Sequence, residues 1–232
     1  MKTSDDAVYA ALLREDFYTF FRKVFQTLNR GVEFKSNWHL RVMAYELEQV
    51  ARGGTRRLVI NLPPRSLKSI ASSVALVAWY LGHHPGAEVI CASYGQDLSA
   101  KFAHDCRAVM QRPWYQAIFP TRIAAGKSGV MDFRTTAGGG RLATSVGGPM
   151  TGRGADLVVI DDPAKPDEML SDPQRDTVNR WLTGTVYSRL NNKDTSGIVI
   201  AMQRLHVLDL TGFVASDRAW KILRLPAIAE AD

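Results

Sequence analysis

Three stretches follow one another without a break: Arg57-Leu58-Val59-Ile60-Asn61-Leu62, Pro63-Pro64-Arg65-Ser66-Leu67-Lys68-Ser69, and the apolar run from Ile70 to Leu81. The first is a β-branched segment of strand length, the last has helix length, and the loop between them ends in Lys-Ser. Strand, loop and helix in this order are the parts of a phosphate-binding P-loop. The usual loop reads GxxxxGK followed by Ser or Thr. Counting back from Lys68 puts Leu67 and Leu62 where glycines are expected. A phosphate cradle needs backbone N–H groups at a helix start, a lysine near the β and γ phosphates, and a hydroxyl for Mg²⁺. Lys68 and Ser69 supply the last two. Pro63 and Pro64 stiffen the approach to the loop without donating N–H groups, and Arg65 adds a second cation. The competing reading is a basic surface turn ahead of a core helix.

Upstream, apolar residues from about Asp6 to Leu28 recur at helical spacing, with Leu13, Phe17, Phe20, Val24 and Leu28 on one face. A second helix, from about Leu40 to Ala51, follows Trp38-His39 and stops at Gly53-Gly54. Trp38 can stack on a base or serve the core, as Trp more often does. Residues 1–55 therefore read as a helical segment packed on a core formed by residues 56–232. At 232 residues and 46% hydrophobic content the chain has the size of one α/β domain. A net charge of +6 favours a polyanionic partner.

Two cysteines, Cys91 and Cys106, give neither a disulfide framework nor a zinc site. Acids near Met1-Lys2-Thr3 argue against a signal peptide, and no apolar run has the length of a membrane span, so a cytoplasmic location is expected. The paired His83 and His84 lie in a Pro/Gly turn with no third ligand nearby, which speaks against a metal centre there.

Downstream of the P-loop helix the pattern predicts a strand at 87–92, a helix at 98–110, irregular chain from Trp114 to Lys127, and a hairpin of 130–134 with 141–145 around Gly138-Gly139-Gly140. Then Gly147 to Gly154 leads into Ala155-Asp156-Leu157-Val158-Val159-Ile160-Asp161-Asp162-Pro163. An apolar run ending in two acids and closed by a proline is the pattern of a Walker B strand. One carboxylate can hold Mg²⁺ while its neighbour orients an attacking water. The alternative is a strand followed by an Asx-type turn. A long helix from Pro173 to Leu190, a buried strand at 197–202 ending in Gln203-Arg204-Leu205-His206, a helix at 207–215 and a strand at 220–226 complete the reading.

Five segments in this order, Pro63 to Ser69, Ala92-Ser93-Tyr94, Thr151 to Asp156, Leu157 to Pro163, and Met202 to His206, together resemble the large subunit of tailed-phage and prophage terminases, the motor that pumps DNA into a capsid. The resemblance implies an α/β P-loop NTPase of the additional-strand, catalytic-glutamate type, with a mainly parallel sheet flanked by helices and the P-loop and Walker B strands adjacent. It implies ATP and Mg²⁺ as cofactors. By it, Pro64, Arg65, Ser66, Leu67, Lys68 and Ser69 would cradle the nucleotide, with Lys68 also catalytic. Ser69 and Asp161 would hold the metal. Asp162 would stand in for the catalytic glutamate, shorter by one C–C bond, about 1.5 Å.

The same resemblance makes Arg153 a finger reaching a neighbouring subunit's site, worth about three to five powers of ten in rate. A surface or DNA-backbone contact is the plainer role for that arginine. Gln203 and Arg204 would sense the γ-phosphate, and Trp38 and His39 would lie near the base. The implied partners are double-stranded DNA, further copies in a ring, a portal and a small terminase subunit. The nuclease domain common in the family is not expected within these residues. The rival functions are a helicase-like motor and a nucleotide- or DNA-binding module without turnover.

Overall fold

The computed structural model describes residues 4–125, 129–150 and 152–227. Readings that fall on Met1 to Thr3, Lys127, Thr151 and the last residues Glu230, Ala231 and Asp232 lie outside them. The chain begins with α1 (Ser4–Glu15), α2 (Phe17–Leu28) and α3 (Trp38–Ala51). The single helix expected from Asp6 to Leu28 is two. Asp16 takes an extended backbone and its carboxylate accepts the Thr19 N–H at 2.7 Å, so an acid inside the periodic pattern caps α2 instead of continuing α1.

There follow β1 (Arg57–Asn61), π-wound turns at Ile70–Leu76 running into α4 (Val77–His83), β2 (Glu88–Ser93) and α5 (Gln96–Met110). Where irregular chain was expected after Trp114, α6 (Pro113–Ile118) forms, started by a proline in its first turn. The hairpin is present as β3 (Asp132–Arg134) and β4 (Gly140–Ser145). After β5 (Leu157–Asp161) come α7 (Asp172–Trp181), π-wound Leu182–Val186 and α8 (Tyr187–Arg189), so the long helix expected over 173–190 changes winding midway. β6 (Gly197–Met202), α9 (Leu210–Val214) and β7 (Lys221–Arg224) close the described chain.

The seven strands lie in the order β3-β4-β2-β5-β6-β1-β7, parallel throughout except for β3 against β4. One expectation is corrected here. Strand β1, read as the P-loop strand, and β5, read as the Walker B strand, are not adjacent, because β6 pairs with both, Ile198 to Met202 along Arg57 to Asn61 and Gly197 to Ala201 along Leu157 to Asp161. All six residues of β6 are buried. A run apolar on both faces has its lowest free energy inside a sheet covered by helices, and that places the additional strand between the two motif strands.

Strand parity divides the interior into two cores. Leu58, Ile60, Val89, Cys91, Leu157, Val159 and Val199 face one side, where α2, α3, α4 and α5 pack. Val59, Ile90, Ala92, Val158, Ile160, Ile198 and Ile200 face the other, against α7, the Leu182–Val186 turns and α9. The N-terminal helices are bound into the first core by aromatic contacts. Phe20 of α2 meets Trp114, Tyr115 and Phe119 at centroid separations of 5.5, 6.2 and 6.0 Å, all steeply inclined, each pair worth about 0.5–1.5 kcal/mol beyond area burial.

Candidate active site

The loop that follows β1 holds the glycine conformation without the glycine. Leu67 has φ 62° and Arg65 φ 63°, both left-handed, a region that costs an L-residue about 1–2 kcal/mol. Ser66 Oγ donates to the Pro63 carbonyl at 2.7 Å and braces the turn. The departure from the usual pattern is thus one of sequence, and the backbone still makes the turn. This gives a first prediction. Leu67→Gly removes packing from a half-buried side chain but also removes the strain, so the unfolding free energy in urea should change by less than about 1 kcal/mol. Leu67→Val, branched at Cβ in a left-handed position, should lose more.

Residues far apart in the chain meet beside this loop. Asp161 shares the parity of Leu157 and Val159, so its carboxylate faces the side of the sheet where the P-loop helix begins, and Ser69 Oγ donates to Asp161 Oδ1 at 3.0 Å. In a regular strand Asp162 would face the opposite side. Its φ of 42° turns it back, and Lys68 Nζ stands 3.1 Å from Asp162 Oδ2. The Gln203 N–H, at the end of β6, donates to Asp162 Oδ1 at 3.3 Å, and the Asp162 N–H to the Ala201 carbonyl at 2.9 Å. The inserted strand therefore carries Gln203 to Asp162, the second acid at the end of β5.

Asp161 is fully buried. Burial first, and then the neighbouring charge of Asp162, push its carboxyl up to about 7, against the pull of Ser69 and Lys68. Its Oδ2 has no hydrogen-bond partner among the described residues. A buried, unpartnered carboxylate oxygen beside a serine hydroxyl suits a hard divalent cation, which binds through one or two protein oxygens with water and phosphate completing the shell. The residues present fit Mg²⁺.

The raised Asp161 implies a definite pH dependence in EDTA. The unfolded carboxyl titrates near 3.8 and the folded one near 7. The stability that this group contributes is full below about pH 4 and lost as pH rises to 7, up to about 4 kcal/mol in all. Asp161→Asn should flatten the stability curve over that window, measured by chemical denaturation in EDTA at each pH.

Three residues singled out from the sequence do not reach this point. Arg204 donates through Nε to Asp209 Oδ2 at 3.0 Å and through a terminal nitrogen to the His206 carbonyl. Asp209, wholly buried, also accepts the Leu205 and Gly212 N–H groups, so Arg204 here neutralises the carboxylate that folds this loop and caps α9. The one local trace of Asp209 in the sequence is an Asp three residues before Gly212 at a helix start. Trp38 begins α3 and is 64% exposed. The far end of α3, at Val50 and Ala51, lies by Asp156, Leu157 and Gly197, where β5 and β6 begin. Trp38 is thus at the end where the strands finish, the P-loop end, and its ring partner is His39.

Arg153 lies at the opposite end. It pairs with Asp132 and stands 3.9 Å from Glu88 Oε1, at the start of β2, whose finish at Ser93 pairs with Asp161. Five strand rises, about 16 Å, separate the two ends. Gly152, at φ 74°, and Gly154, where a Cβ would fall 1.8 Å from Asn191 Oδ1, explain the glycines beside it.

No protein-family model matches this sequence, and no curated protein matches it. Among solved structures, the HK97 bacteriophage large terminase is similar, with a TM-score of 0.61 and 16% identity over 94% of this chain and 45% of that one. This chain spans less than half the length of that protein. Its mixed α/β architecture, with a mostly parallel seven-stranded sheet between helical layers, is a fold it shares with that terminase.

Proposed function

We propose that this chain is a Mg²⁺-dependent ATPase, the motor domain that drives double-stranded DNA into a viral capsid as part of a ring whose sites neighbours complete. The observation that carries the reading is the convergence of Lys68 with Asp162 and of Ser69 with Asp161 at one point beside the P-loop turn. The likeness in fold to the HK97 large terminase supports it. Lys68 holds the β and γ phosphates, and Arg65, exposed on the same loop, adds charge at the phosphate tail. Mg²⁺, when bound at Ser69 and Asp161, neutralises charge developing on the transferring phosphoryl.

Asp162 is paired with Lys68. A phosphate that takes over Lys68 frees Asp162 to orient the attacking water, while the Gln203 N–H keeps the carboxylate in place. A cavity of about 600 Å³ beside Pro63, Pro64 and Gln203 has room for the nucleoside. Portal and small-subunit partners belong to this reading. Among the described residues no helix is long and apolar enough to cross a membrane.

The test is ATP hydrolysis against protein concentration, with and without duplex DNA. Turnover rising more than linearly with concentration, and further with duplex, is expected. Strand unwinding would move the reading to a helicase-like motor. Nucleotide binding without turnover at any concentration would make the chain a binding module.

A further inference from the structure

Fourteen residues make up α3, and the three exposed ones are Trp38, Arg41 and Tyr45. Trp38 is 64% and Tyr45 59% exposed, and their spacing sets all three on one stripe. The outward face of an ordinary surface helix carries Lys and Glu. Here the acids are turned away: Glu46 is buried against Lys221 at 2.8 Å, and Glu48 holds Arg52. Beside the stripe, Arg41 stands 4.9 Å and Arg22 5.9 Å from the ring centre of Tyr18 on α2. Between residues 22 and 45 the basic residues Arg22, Lys23, Arg30, Lys35 and Arg41 meet a single acid, Glu33.

A second observation lies one step around α2. A cavity of about 270 Å³ is lined by Lys23, Gln26, Thr27, Arg30, Arg112 and Trp114, all donors and no acid. Two of those donors, Arg112 Nε and Trp114 Nε1, are buried with no hydrogen-bond partner among the described residues. The cationic groups of Lys23, Arg30 and Arg112 on that wall suit an oxyanion of phosphate size. Arg22 and Gln26 on α2 and Arg30 in the turn after it are all exposed and join the cavity to the stripe.

We propose that α2 and α3 form a binding surface for an unpaired nucleic-acid strand, its phosphate held by Lys23, Arg30 and Arg112 and its bases stacked on Trp38 and Tyr45. A cationic track interleaved with aromatic platforms is the chemistry of single-strand binding, because a duplex keeps its base faces inside the stack. Trp38 lies at the P-loop end of α3, so this ring is shared with the ATPase reading, and binding measured without nucleotide separates the two.

The experiment is fluorescence anisotropy without nucleotide, using labelled (dT)20, an abasic strand of equal length and charge, and a 20-bp duplex. Tighter binding of (dT)20 than of the abasic strand, by about tenfold or more, is expected. Trp38→Ala and Tyr45→Ala should each erase most of that difference while leaving the abasic affinity within about twofold. Arg30→Ala should weaken both strands and lower the salt slope by about one. Being exposed, these side chains can be removed without touching the core, which thermal unfolding checks. Equal affinity for (dT)20 and the abasic strand would overturn the proposal. So would a Trp38→Ala variant that loses ATP affinity but keeps (dT)20, which would give that ring to the nucleotide, or one that dissociates an oligomer, which would give the stripe to a second copy. Competition by millimolar inorganic phosphate with no effect of Trp38→Ala would reduce the cavity to a free-phosphate site and likewise overturn it.

Discussion

Lys68→Ala is expected to lower ATP turnover by at least two to three powers of ten and to weaken nucleotide binding. The size follows from what one fixed cation does in a dry site. Lys68 is 6% exposed, and removing one preorganised donor from a developing oxyanion costs about 10²–10³ in rate. Here two further consequences add to it. Asp162 loses the ammonium 3.1 Å away and keeps the Gln203 N–H, so the acid proposed to orient water is held less firmly. Lys68 is also one of the two groups that pull Asp161 down, and without it that carboxyl rises further from its ordinary range, so less of it is ionised to accept Mg²⁺ at neutral pH. The measurement is steady-state hydrolysis alongside ATP affinity, with urea unfolding as a check on the fold. Turnover within tenfold of the parent chain would remove Lys68 from the chemistry, and with it the P-loop reading of the whole 57–81 stretch.

How much of this was legible in the sequence depends on whether the deciding interactions are local. The central strands were, because a strand covered on both faces reads as an unbroken apolar run, and Val158 to Ile160 or Ile198 to Ala201 have no other use. The pairing of Ser69 with Asp161 was legible as a motif, and the parity of β5 accounts for it. Sheet order was not. Nothing in Gly197 to Met202 says that it will slip between β1 and β5, since that outcome depends on which run is most fully buried once all seven are assembled. The break at Asp16 was missed because one polar residue in a periodic run can be a solvated position or a cap, and only the extended backbone decides. The left-handed turns at Arg65 and Leu67 were invisible for the opposite reason, since the residues there are ones that usually avoid that conformation. Surface chemistry was hardest: Lys23 and Arg112 converge through the docking of α6 on α2, at a separation no window along the chain can span.

Arg153→Ala should leave the dilute monomer's own hydrolysis unchanged and cost an assembled ring about three to five powers of ten. The first half follows from position. Within its own chain the Arg153 guanidinium is held by Asp132 and Glu88 at the start of β2, a strand's length from Asp161, and cannot touch a nucleotide on Lys68. The second half is the proposal that the same guanidinium reaches a neighbour's phosphates, where an arginine offsets charge that no group of the home site can reach. Mixing separates the two. Lys68→Ala protein has no working site but keeps its arginine, and Arg153→Ala protein keeps a working site but lacks the arginine. If the arginine acts across the subunit boundary, combining the two inactive proteins at high concentration restores a measurable part of the wild-type rate, because some interfaces pair an intact Lys68 with an intact Arg153. If it acts within its own chain or only braces the loop through Asp132, no mixture recovers. In that case Arg153 is a structural ion pair, and the neighbour's contribution must come from another cation.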